Sequence, residues 1–128
     1  MRLLLDTNAL LAILGDAAAL STAGARLVND PANQKAVSVV SFWELAIKVS
    51  LGKIRMTRAP EAVWEQFEQR QIAMILPIRP VHLQELRTLP LVHRDPFDRL
   101  IVAQARAEDC LLLSSYSVLE EYGVRRVW

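Results

Sequence analysis

Two kinds of apolar pattern alternate along the chain. Leu3-Leu4-Leu5 and Leu111-Leu112-Leu113 are unbroken apolar runs, which predict strands buried on both faces. Ala36-Val37-Ser38-Val39-Val40 is β-branched and bounded by polar residues, so it reads as another strand. Met74-Ile75-Leu76-Pro77-Ile78 predicts a short strand weakened by its proline, and 124–127 a last one. Helical patterns lie between them. Asn8 is the expected cap of a helix ending near Gly15, and Ser21 of one running through Val28. Ser41-Phe42-Trp43-Glu44 matches a capping box for a helix over 42–50, stopped by Leu51-Gly52. Pro60 suits the first turn of a helix striped by Val63, Trp64 and Phe67. Pro80 opens a helix to about Leu89, and Pro90 helps to end it. Asp95-Pro96-Phe97-Asp98 leads into a strongly helical 99–109, and a short helix is expected over 117–122. Strands alternating with helices predict an α/β fold around a parallel sheet. With no repeat or linker, one domain over 1–128 is expected.

Composition narrows this little: 52% apolar and 23% charged residues belong to an ordinary globular chain. A net charge of +1 gives no global field for nucleic acid, so any such binding needs a local patch. The single Cys110 excludes an internal disulfide, and its place before Leu111 makes it a small buried residue rather than a nucleophile. Arg2, the leucines and Ala17-Ala18-Ala19 loosely imitate a signal peptide, but Asp6 and Asn8 interrupt the apolar region. No apolar run approaches the roughly 20 residues that span a bilayer. A cytoplasmic protein is expected.

The candidate chemistry is acidic. Asp6 follows a strand, Glu44 lies in a first helical turn, and Asp95 and Asp98 surround another helix start. Each has an ordinary structural explanation: Ser41 with Glu44 as a capping box, and Asp95, Pro96 and Asp98 as a well-formed helix start. Jointly they suggest more. A carboxylate at the carboxyl end of a buried strand stands where open α/β sheets place ligands. Clustered carboxylates repel one another without a cation, and oxygen-only ligands suit Mg²⁺ or Mn²⁺. His82 and His93 stand apart and unaccompanied, with no zinc-type spacing. There is neither a Gly-rich phosphate loop nor a G-x-S-x-G elbow. Hydrolytic phosphoryl transfer is the chemistry that remains.

Three segments carry a resemblance: Leu5-Asp6-Thr7-Asn8-Ala9-Leu10, Ser41 through Lys48, and His93-Arg94-Asp95-Pro96-Phe97-Asp98-Arg99-Leu100-Ile101-Val102-Ala103-Gln104-Ala105. Together with the Tyr122-Gly123-Val124…Trp128 ending, they resemble the PIN-domain family, in particular the VapC-type ribonuclease toxins of type II toxin–antitoxin pairs. That likeness implies a three-layer α/β/α sandwich with a central parallel sheet. It also implies a dimer, RNA cleavage with Mg²⁺ or Mn²⁺ leaving 5′-phosphate and 3′-hydroxyl ends, and a cognate antitoxin partner. By position, Asp6, Glu44 and Asp98 match the family's metal ligands, with Asp95 an additional acid. Thr7 or Asn8 would orient Asp6 or a water, and Ser114 belongs to the same supporting layer.

One position departs from the family pattern. Leu113-Ser114-Ser115-Tyr116 puts Tyr116 where a fourth acid is expected, and a neutral phenol is no hard-cation ligand. Tyr116 reads either as a surface aromatic before a short helix or as the mark of a lost or weakened second metal. Lys48, Lys53, Arg94 and Arg99 are the candidate RNA contacts. Trp43 and Trp64 are expected in the core or a dimer interface. Two alternatives remain: a catalytically weakened PIN domain acting by RNA or antitoxin binding, and a small-molecule phosphohydrolase. The latter lacks the second aspartate two residues after the first, where Asn8 stands.

Overall fold

Leu3, Leu4 and Leu5 are wholly buried, and they explain the sheet. In the computed structural model, which describes residues 1–128, they form most of β1 (Arg2–Leu5). Leu3 and Leu5 point into one core with Val37 and Leu113, while Leu4 points into the other with Ala36 and Leu112. A strand flanked by two cores needs helices on both sides. The chain provides α1 (Thr7–Leu14), α2 (Thr22–Asn29), β2 (Gln34–Ser38), α3 (Val39–Ser50), α4 (Pro60–Gln69) and β3 (Met74–Leu76). It continues with α5 (Pro80–Thr88), α6 (Pro96–Ala107), β4 (Leu111–Leu113), a 3₁₀ helix (Ser117–Tyr122) and β5 (Arg126–Val127). The result is the expected α/β/α sandwich.

All five strands are parallel, in the order β3-β2-β1-β4-β5. Leu5 pairs with Val37 on one side and Leu113 on the other. The chain winds outward from β1 through β2 to β3, then returns to β4 on the opposite side of β1. The carboxyl ends of β1 and β4 therefore flank a topological switch point, the usual ligand crevice of such sheets.

Several boundaries differ from the sequence reading. Asp6, not Asn8, caps α1: its Oδ1 accepts the Ala9 N–H at 2.8 Å. The second strand ends at Ser38, whose hydroxyl accepts the Val40 N–H at 3.0 Å and starts α3 despite two β-branched residues. Local capping and burial of Val40 outweigh strand propensity there. β3 stops before Pro77, and β5 is shorter than expected. Trp43 is no core residue: it is 57% exposed, with its ring edge-on to Phe97 at 5.0 Å between centroids. Trp64 does pack on the core, against Phe42. Cys110 is buried as expected, and burial pushes its thiol pKa up.

Gly24 on α2 marks a tight approach. A Cβ there would lie 2.6 Å from the backbone carbon of Trp128, whose carbonyl accepts the Gly24 N–H at 3.2 Å. Gly24→Ala is expected to lower stability by about 1–3 kcal/mol, seen as a lower urea midpoint with an unchanged slope. An unchanged midpoint would show that this segment yields freely.

Candidate active site

The sheet delivers the first acid. The Asp6 N–H donates to the Leu113 carbonyl at 3.0 Å, tying the end of β1 to β4 at the switch point. The side chain is 2% exposed. Burial pushes its pKa up to about 6; a Ser114 hydroxyl and the Ala9 N–H work against that rise, while the Asp98 and Glu44 charges add to it. Ser114 Oγ accepts the Tyr116 N–H at 3.1 Å, which leaves its own proton for Asp6.

Glu44 comes from inside α3 rather than from its cap. With the helix starting at Val39, Ser41 and Glu44 form no capping box and face α1 instead. Thr7 Oγ1 donates to Glu44 Oε1 at 2.6 Å and lies 3.1 Å from Ser41 Oγ. On the other side, Lys48 Nζ donates to Glu44 Oε2 at 2.5 Å, one helical turn on. That bond raises the Lys48 pKa, and the Asp95 and Asp98 charges raise it further. Lys48 is thus the fixed counter-charge of the acidic site rather than a free RNA contact. Its spacing from Glu44 is the i,i+4 spacing at which helical side chains meet, so the signal was present in the sequence.

Asp98 and Asp95 come from the start of α6. Asp95 Oδ1 accepts the N–H groups of Phe97 and Asp98 at 2.9 and 3.1 Å, so the helix-cap explanation of Asp95 holds. Asp98 has its pKa raised by burial and by the Asp95 charge, and lowered by a hydrogen bond from His93.

Of the other expected residues, Thr7 touches Glu44 rather than Asp6, and Asn8 is half-buried beside it. Lys53 and Arg94 are exposed. Arg99 is committed elsewhere: it donates to the Pro90 carbonyl at 2.9 Å and to the Tyr122 hydroxyl at 3.2 Å. Tyr116 is half-exposed at the start of the 3₁₀ helix, which fits a surface aromatic. Neither histidine is unaccompanied. His93 Nε2 lies 3.2 Å from Asp98 Oδ2, and the buried His82 has Nε2 2.8 Å from Glu108 Oε1, which holds the Glu108 pKa down. Glu108 lies 26 residues from His82, too far for spacing to give notice, whereas Asp98 is only five residues beyond His93 in the same segment.

No group of three or more His, Cys, Asp or Glu side chains is placed closely enough to hold a metal ion by itself. The donor set nonetheless suits a hard cation that keeps most of its waters. Asp6, Glu44 and Asp98 share one electrostatic neighbourhood, and Mg²⁺ commonly needs only one or two protein carboxylates. The large cleft of about 680 Å³ lies elsewhere, at the opposite ends of the strands, lined by residues such as Arg2, Gln34, Met74 and Cys110.

A parallel sandwich with buried carboxylates gathered at its switch point places acidic groups where open α/β sheets take their ligands. The PIN domain family matches residues 3–122, and the chain belongs to that family, whose members are generally nucleases. The fold is similar to the VapBC2 complex of Rickettsia felis bound to a promoter DNA fragment: 16% identity, 98% of this chain and 97% of that one, TM-score 0.68. DNA-bound VapBC of Salmonella typhimurium is similar at 14% identity over 98% and 96%, TM-score 0.68. FitAcB of Neisseria gonorrhoeae is similar at 17% over 98% and 96%, TM-score 0.65. No curated protein matches the chain. No helix is long and apolar enough to cross a membrane.

Proposed function

We propose that this chain is the toxin of a type II toxin–antitoxin pair, a cytoplasmic endoribonuclease dependent on Mg²⁺ or Mn²⁺. The observation that carries this reading is Asp6: a carboxylate buried at the β1/β4 switch point, within the field of Glu44 and Asp98. Asp6, Glu44 and Asp98, with Asp95 beside them, are the residues to hold the cation. When bound, a divalent cation supplies Lewis acidity towards a phosphodiester and its water nucleophile. The protein's own part is positioning. Ser114 and the α1 N-terminus fix Asp6; Thr7 and Lys48 fix Glu44 and keep its charge compensated. Lys53 and Arg94, both exposed, are available to phosphates flanking the cut. The VapBC and FitAcB neighbours support an antitoxin partner, and a homodimer accompanies the same reading.

The test is cleavage of a structured RNA by the purified chain with Mn²⁺, without it, and in Asp6→Asn. Cleavage that needs Mn²⁺ and disappears in the variant supports the assignment. Equal behaviour of the two proteins removes it. Tyr116 favours one variation on this theme, a site weakened by the missing fourth acid. Tyr116→Asp is then expected to tighten Mn²⁺ binding roughly tenfold, in proportion to an added carboxylate ligand near the site. Unchanged Mn²⁺ affinity and cleavage would make Tyr116 a surface residue only.

A further inference from the structure

Asp98 is held from outside the acidic group by a chain of three residues. Its Oδ2 lies 3.2 Å from Nε2 of His93. The other ring nitrogen of His93, Nδ1, lies 2.6 Å from the hydroxyl of Tyr122, a buried residue at the end of the 3₁₀ helix. Two further groups reach the same phenol oxygen. The His93 backbone N–H donates to it at 3.2 Å, and Arg99 donates to it at 3.2 Å with its guanidinium over the ring.

Counting protons settles the direction of these bonds. A phenol oxygen has two lone pairs and one proton. The two N–H donors take the lone pairs, so Tyr122 must give its proton away. The acceptors within reach are Nδ1 at 2.6 Å and the His93 carbonyl at 3.4 Å, and the shorter bond is the stronger. Nδ1 is therefore an acceptor. A neutral imidazole then carries its proton on Nε2, facing the Asp98 carboxylate. We propose that Tyr122 and Arg99 lock His93 as the Nε2–H tautomer, and that His93 is a positioning residue orienting Asp98 towards the divalent cation. This deepens the metal-nuclease reading and rests on it.

The arrangement has a clear division of labour. Asp95 holds the backbone of Asp98 through the helix cap, and His93 holds its carboxylate head. One Asp98 oxygen is engaged by His93, which leaves the other for a cation. Arg99 also binds the Pro90 carbonyl, fastening the segment that carries His93 to α6.

Two measurements on the full chain test the lock. Long-range ¹H–¹⁵N NMR of the metal-free protein reads imidazole tautomers directly; a single Nε2–H form is expected for His93, replaced by a tautomer mixture in Tyr122→Phe. Titration with Mn²⁺ alone, followed by the EPR signal of the free ion, reads the positioning. Tyr122→Phe and His93→Ala are each expected to weaken Mn²⁺ binding about tenfold, the scale of a lost outer-shell contact. His93→Gln keeps an N–H donor at the Nε2 position and is expected to stay within about threefold of wild type. Thermal melts confirm that each variant is folded. A wild-type Nδ1–H tautomer, or wild-type Mn²⁺ affinity in both Tyr122→Phe and His93→Ala, overturns the proposal. A wild type that takes up no Mn²⁺ overturns the cation-orienting role together with the proposed function. The tautomer spectrum keeps that failure distinct from a failure of the lock itself.

Discussion

Asp6→Asn is expected to abolish cleavage and, in the absence of metal, to make the protein more stable at pH 7.5. The Asp6 pKa rises from 3.8 to about 6 on folding, so between those values the native state holds a proton that the unfolded chain has released. Stability contributed by this group is complete below pH 3.8 and is lost as pH rises through 6. A difference of about two pH units corresponds to about 3 kcal/mol, which is the cost of keeping Asp6 ionised at neutral pH. Asparagine imitates the protonated form and can still accept the Ala9 N–H that caps α1. Urea denaturation in EDTA is therefore expected to show Asp6→Asn ahead by up to about 3 kcal/mol at pH 7.5 and level with wild type near pH 4. Added Mn²⁺ is expected to stabilise only the wild type. A variant less stable than wild type at both pH values would reduce Asp6 to a helix cap. A site that destabilises its own fold until a ligand arrives is the pattern of function rather than of architecture.

Lys48→Met is the second large effect, with the opposite sign. Glu44 is almost completely buried, and its partners are Lys48 and Thr7. Removing the ammonium leaves a buried carboxylate with the Thr7 hydroxyl alone. Breaking a buried pair from one side costs about 3–5 kcal/mol, and the partial exposure of Lys48 places this case near the lower end. The loss should show as a lower urea midpoint at pH 7.5 in EDTA. Mn²⁺ or Mg²⁺ is expected to restore more stability to this variant than it adds to wild type, because the cation takes over the charge that Lys48 neutralised. Equal metal-induced shifts in the two proteins would mean that Glu44 does not share the cation site.

What could be read in advance followed the range of the interactions. β1 and β4 were legible because an unbroken run of three leucines needs two apolar faces, and only a central strand offers them. The start of α6 was legible because Asp95, Pro96 and Asp98 act on backbone groups within three residues. The junction of β2 and α3 was not. Val37, Val39 and Val40 are β-branched, and only the buried cap from Ser38 and the packing of Val40 turn the chain helical from Val39. That shift of start also removed the capping box and turned Glu44 towards Thr7. The four acids could be named by type and place, and Thr7 and Ser114 by the family resemblance, but the contacts that hold each acid could not. Ser114 reaches Asp6 only because β4 lies beside β1, a neighbourhood set by strand order. Tyr122 meets His93 across 29 residues, where no local rule applies.

The central position of β1 orders events in time. The first strand of this chain to be made cannot be enclosed until β4, more than a hundred residues later, pairs along its free edge. Loop closure over that span is slow and comes late in folding. Asp6 waits at the end of that strand for Asp98 and Ser114, both of which are synthesised long after it. A growing polypeptide therefore carries Asp6 and Glu44 without their later neighbours until α6 and β4 have been made. The acidic site is born open, and closes only once β4 has paired beside β1.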